Sequence, residues 1–183
     1  MTSRLNVKIY RNGKASTLPF TDYFKGFEQV ETIIRIFGKK TDEVLGNLRV
    51  EFLGAAWAYM AVSDLDGHLI ISVDYLKNGD FTSLYLDIIH ELTHVKQFMD
   101  GKELFDGGFS YVDRPTEIEA YRNSVEEAKR LGIDDKTILE YLKTEWMSEE
   151  DHSKLAQALN VKPEKKYCII YPIYLKPDIT HVH

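Results

Sequence analysis

The chain has 183 residues, 44% of them hydrophobic and 28% charged, which is the make-up of a folded domain with a sizeable core and excludes a disordered tail, a collagen-like repeat or a disulfide miniprotein. Lys and Arg number 23 against 29 Asp and Glu, a formal net charge of −6, and no Lys/Arg run offsets it, so no nucleic-acid partner is expected. A single cysteine, Cys168, no signal-peptide layout in residues 1–10 and no run near the roughly 20 apolar residues of a membrane span together predict a cytoplasmic protein without a membrane partner.

Leu5, Val7 and Ile9 alternate with polar residues before an Asn12-Gly13 turn, which predicts an edge strand. Phe24, Phe27, Val30, Ile33, Ile34 and Phe37 fall mostly three or four apart, predicting one amphipathic helix over residues 21–37 that Gly38 ends. Residues 48–53, 56–62 and 68–75 read as two or three antiparallel strands, the last two joined through Asp66-Gly67. A long helix is expected over 82–99, capped by Asp80 or Thr82 and stopping near Gly101. Residues 101–113 read as an irregular loop, and Pro115 suits the first turn of a helix reaching Arg130, with Gly132 after it. Two shorter helices follow, capped by Asp134 or Asp135 and by Ser148, and residues 167–175, broken by Pro172, read as an edge strand or clasp. These elements make a single α+β domain over 1–183. The sheet and first helix occupy about 1–80, the metal-site helices about 81–131, and the C-terminal helices and terminal strand about 132–183.

Inside the long helix lies His90-Glu91-Leu92-Thr93-His94, the pattern H-E-x-x-H. Residues four apart on a helix share a face one turn apart, so both imidazoles can reach one ion. Neutral imidazole suits Zn²⁺, which lowers the pKa of bound water, and Glu91 beside that face can act as general base and then acid. Leu84, Ile88, Leu92, Val95 and Met99 form a separate apolar stripe, while Asp87 and Gln97 are polar groups close to the ligand face. A third protein ligand is needed, and Glu117 or Glu119 at the start of the next helix can supply it, though residues two apart diverge and both do not fit.

HELTHVKQF followed by RPTEIEAY resembles the zincin metallopeptidases, specifically the glutamate-zincin (gluzincin) branch with an H-E-x-x-H…E site. The resemblance covers about residues 71–130. It implies a small sheet packed on the motif helix, one Zn²⁺ per chain, and a third ligand within an E-x-x-A pattern, here Glu117-Ile118-Glu119-Ala120 with Glu117 in the ligand position and Glu119 as second choice. The family often places an acidic residue one turn after that glutamate, where this chain has Tyr121. The metzincin continuation is absent, since Val95-Lys96-Gln97-Phe98 follows His94. The resemblance also implies a peptide or protein substrate added as a strand to an exposed edge, for which residues 68–75 are the candidate. Tyr111, Tyr121 and Arg122 are equal candidates for stabilising the transition state.

Other residues have plainer readings. Cys168 reads as a small buried hydrophobe, His181 and His183 as a terminal tail, His152 as solvated, His68 as a turn residue, and Trp57 and Trp146 as packing aromatics. The leading expectation is a zinc metallopeptidase working through His90, His94, Glu117 and Glu91. A zincin-like regulatory or binding module with a structural metal is the alternative, and a metal-free protein with a coincidental motif ranks last.

Overall fold

The computed structural model describes residues 6–54 and 59–162, so the readings of Trp57, Cys168, residues 167–175, His181 and His183 fall outside the described residues. The chain runs through β1 (Lys8–Ile9), β2 (Ser16–Pro19), α1 (Phe20–Tyr23), β3 (Phe24–Lys25), α2 (Glu31–Phe37), α3 (Thr41–Asn47), β4 (Arg49–Leu53), β5 (Met60–Val62), β6 (Leu69–Ser72), α4 (Val73–Asn78), α5 (Phe81–Met99), α6 (Pro115–Arg130), α7 (Asp135–Leu142) and α8 (Glu149–Ala158). Together they make a mixed α+β fold with a small sheet and several helices. No helix among the described residues is long and apolar enough to cross a membrane.

The four-stranded sheet has the order β2-β4-β6-β5. Val50, Phe52, Leu69 and Ile71 turn one of its faces into the core, with Glu51, Leu53 and Ile70 between them more exposed, as the period of two requires. β4 and β6 pair in parallel while β2 on β4 and β5 on β6 are antiparallel, so the sheet is mixed, and the antiparallel reading of residues 48–53, 56–62 and 68–75 holds only for β5 on β6. From β4 the chain goes first to β5 at the edge and returns through β6, which inserts between them. The β5–β6 reversal needs Gly67, whose φ is +75 and where a Cβ would run into the Phe98 ring of α5. Residues 68–75 are therefore not the exposed edge. Leu69–Ser72 is bonded on both sides, and Val73 opens α4, whose first turn Ser72 caps by accepting from Tyr75 N. Among the described residues, the edge strand beside the motif helix is β5.

The helix expected over 21–37 is broken into α1, β3, a 3-10 turn and α2. Gly26 sits at φ +84, where a Cβ would collide with the Asn6 carbonyl oxygen, and β3 pairs with β1 in a separate two-stranded ribbon. The helical spacing of the phenylalanines still serves packing, because Phe20, Phe24 and Phe27 stack on one another in the core. Sequence patterning also passes over β2 and α3, both too short to carry a legible period.

The C-terminal half follows its punctuation. Asp80 caps α5 by accepting from Ser83 N at 2.9 Å, Pro115 opens α6, Asp134 caps α7 and Ser148 caps α8. α5 is more central than a one-sided stripe implies. Its middle, from Leu84 through Val95, is buried except for a partly open Asp87, with α6, α2 and β5 packed around it, while Met99 is half exposed.

α6 runs antiparallel across α5, and side chains fix the axial register. Gln97 Nε2 donates to Thr116 O at 3.0 Å, Asn123 Nδ2 to Thr93 Oγ1 at 3.1 Å, and Ser124 Oγ to Leu86 O at 2.9 Å. At the far end the fully buried Glu127 accepts from Thr32 of α2 at 2.8 Å, Tyr85 of α5 at 2.6 Å and Arg130 Nε at 2.8 Å. Burial opposes its charge, but the Arg130, Tyr85 and Thr32 hydrogen bonds outweigh it and hold the carboxyl below its usual range. That contribution to stability is present above the ordinary glutamate value of about 4.3 and is lost as pH falls through the lowered folded-state value. Glu127→Ala, which strands these buried donors, should cost about 3–5 kcal/mol in denaturant titration. A loss below 1 kcal/mol would show that the carboxylate does not tie the three helices together.

Candidate metal centre

His90 and His94 lie one turn apart on the buried face of α5, and the register of α6 brings Glu117, in its first turn, opposite them. The two Nε2 atoms are 3.0 Å apart, and Glu117 Oε2 is 3.3 Å from that of His90 and 3.5 Å from that of His94. All three residues are buried, and they form a His-His-Glu group that can hold a metal ion. Beyond these two imidazoles, Glu117 Oε2 is buried with no further hydrogen-bond partner. Three donor atoms around one tetrahedral ion with bonds of about 2.1 Å lie about 3.4 Å from one another, so the two Glu117 separations fit such an ion and the imidazoles need to part by only a few tenths of an ångström.

The surroundings hold these ligands in place. His94 Nδ1 meets Gln97 Oε1 at 2.7 Å, and Gln97 Nε2 also donates to Glu119 Oε2 at 2.8 Å, which Lys102 Nζ contacts at 2.8 Å. Glu119 thus points away from the ligand group and supports it through Gln97, while Glu117 takes the ligand position. His90 Nδ1 is buried without a hydrogen-bond partner, and the Tyr121 ring stands across the imidazole with centroids 4.4 Å apart. Where an acidic residue would orient the histidine by hydrogen bonding, Tyr121 does so by packing. Arg114, which the motif does not reveal, reaches Glu117 Oε1 at 3.6 Å from the residue before Pro115.

Electrostatics follow from enclosing four ionisable groups together. Burial raises the Glu91 carboxyl to about 8. Burial alone would lower the pKa of His94, but the Glu117 hydrogen bond and the Glu91 charge lift it to about 9. His90 is lowered, chiefly by burial. Burial also opposes the charge of Glu117, and the bonds to both imidazoles overcome it, keeping this carboxylate far below its usual range.

Two cavities open on the group. The smaller, about 150 Å³, lies under β5 and is lined by Met60, Ala61 and Val62, by His90, Glu91, His94 and Glu117, and by Leu104, Phe105 and Tyr111 of the 101–113 connection. The larger, about 440 Å³, extends past His90 and Glu91 toward Asp87, α7 and Trp146. Asp87 accepts from the Tyr75 hydroxyl, and burial pushes its carboxyl up to about 6. Tyr111 lines both cavities, and its hydroxyl lies 3.0 Å from that of Tyr121. Arg122 is exposed and lines neither cavity. Of the three equal candidates, the fold therefore brings Tyr111 and Tyr121 to the group and leaves Arg122 outside. His68 bridges Asp66 at 2.5 Å and Glu51 at 3.0 Å, so it does more than occupy a turn, and His152 bonds Leu139 O at 2.8 Å instead of facing only water.

No protein-family model, curated protein or solved structure matches this chain.

Two outcomes are expected on titration with a divalent ion. Glu117→Ala should abolish tight binding, whereas Glu119→Gln should weaken it by about tenfold, as for a group acting on a ligand through a hydrogen bond. The reverse ranking would exchange the two roles. Because coordination takes neutral imidazole, ion uptake at pH 7 should expel protons, His94 holding one below about pH 9. Calorimetry in buffers of different ionisation enthalpy should show this release fading above that pH, and a release independent of pH would contradict the charge assignment.

Proposed function

We propose that the chain is a zinc-dependent metallopeptidase with a zincin-like arrangement of strand, motif helix and glutamate-bearing helix. The observation that carries the reading is the convergence of two imidazoles and one carboxylate beside a buried Glu91, in a cavity under an edge strand. Two nitrogens and one oxygen are a catalytic donor set for zinc, with a position left for water or substrate. Zinc held by His90, His94 and Glu117 would supply Lewis acidity, acidifying water and polarising a carbonyl.

The remaining work falls to the chain's own groups. Glu91 faces the cavity from the residue after His90, placed to accept a proton from attacking water and return it to the departing amine once a bound cation offsets the burial that otherwise favours its protonated form. β5, the edge strand of the sheet among the described residues, offers its backbone to an extended peptide, taking the role expected of residues 68–75. Burial drives the Tyr111 hydroxyl well above its ordinary pKa, so it stays a neutral donor for the negative charge developing on the carbonyl oxygen. The Tyr121 hydroxyl and ring position it.

Glu91→Gln should retain the metal and lose at least about 10²-fold of peptide-library cleavage, the usual worth of a general base. If the zinc-loaded wild type cleaves nothing, or if Glu91→Gln cleaves equally well, the alternative of a binding or regulatory module with a structural metal takes precedence.

A further inference from the structure

The larger cavity has a lining unlike the greasy slot that would accept an apolar side chain. Tyr59, Tyr75, Tyr121, Tyr141 and Trp146 make much of its wall, and Asp87, one turn before His90, keeps part of its surface in the cavity. Thr144 Oγ1, on the lining, is buried without a hydrogen-bond partner, and the Tyr141 hydroxyl, also on the lining, interacts with Asp87. Glu140 and Glu145 add carboxylates, and Lys143 on the same lining is held by Glu149 at 2.8 Å. Among the described lining residues carboxylates outnumber the lysine. An apolar occupant would seal the remaining acceptor capacity of the Asp87 carboxylate and the Thr144 hydroxyl from water, at about 1–3 kcal/mol each. A basic side chain satisfies all of these groups at once. Its methylenes lie along the aromatic rings, its charge faces π-surfaces, and its N–H groups reach Asp87 and the oxygens of Tyr141 and Thr144.

We propose that this cavity is a subsite for an arginine or lysine side chain, with Asp87 as its charge partner. The volume of about 440 Å³ leaves room for the extended side chain and for water. Since the cavity reaches His90 and Glu91, a peptide seated there carries its basic residue next to the bond presented to the metal group. This placement rests on the peptidase reading, whereas the affinity for a basic side chain does not.

The test uses the protein with zinc added, at pH 8, and two probes of similar length, acetyl-arginine amide and acetyl-norleucine amide, followed by calorimetry and tryptophan fluorescence. Wild type should bind the arginine probe about tenfold or more tighter than the norleucine probe. Asp87→Asn, which keeps an acceptor for Tyr75, should reduce that ratio to about twofold or less. Thr144→Val, which removes an unpartnered hydroxyl and should leave folding intact, should weaken the arginine probe selectively. Equal binding of the two probes, or a preference that survives both substitutions, overturns the proposal. A peptide library read in parallel separates the two ideas. Glu91-dependent cleavage with no enrichment of Arg or Lys beside the cut bond rejects the subsite and keeps the peptidase. Selective arginine binding without cleavage keeps the subsite and rejects the peptidase.

Discussion

The axial register of α6 on α5 is the constraint on which the rest depends. Glu117 is useful only within about 3.5 Å of two imidazoles on another helix, and a slip of one residue moves α6 by about 1.5 Å and turns it by about 100°. The register is held at several heights, by Gln97 with Thr116, Asn123 with Thr93, Ser124 with Leu86, and Glu127 with Tyr85. Each contact joins a polar side chain to a group that would otherwise be buried and unsatisfied, so sliding breaks all of them together. Hydrophobic packing supplies the adhesion between these helices, while the hydrogen bonds specify where along each other they stop.

The same burial that makes the centre rigid makes it costly. Two carboxylates and two imidazoles share one poorly hydrated space, and their pKa values spread in opposite directions to limit the charge held there. A divalent cation resolves the conflict better than protons do, because it satisfies three lone pairs from one point. An ion bound by this group would therefore link its affinity to the stability of the fold.

The sequence made the long helix, its caps, the following proline-started helix and the ligand group legible because each has a local cause. Asp80, Pro115, Asp134 and Ser148 act within a turn of themselves, and H-E-x-x-H needs only helical geometry. The choice of Glu117 over Glu119 depended on which way α6 faces, and the E-x-x-A spacing carried that information. What stayed hidden was long-range. Nothing within residues 21–37 announces that Phe24–Lys25 will pair with Lys8–Ile9, and helical spacing of phenylalanines fits a broken cluster as well as a helix. Likewise, a strand's place in a sheet is a tertiary property. Residues 68–75 have the pattern of a half-buried strand, and only the insertion of β6 between β4 and β5 shows that the edge strand there is Met60–Val62. The aromatic cavity was unreadable for the same reason, since Tyr59, Asp87, Tyr141 and Trp146 are brought together from four separate segments.

The link from Lys102 through Glu119 and Gln97 to His94 begins on the stretch that follows α5, the same stretch that supplies Leu104, Phe105 and Tyr111 to the smaller cavity. The wall of the cavity and the bracing of the ligand are thus one mechanical unit. If that wall swings outward to admit a bulky chain, Lys102 moves with it, Glu119 loses its cation, and Gln97 is left to hold the imidazole with a weaker anchor. Any displacement of that wall would therefore loosen the bracing of the His94 imidazole.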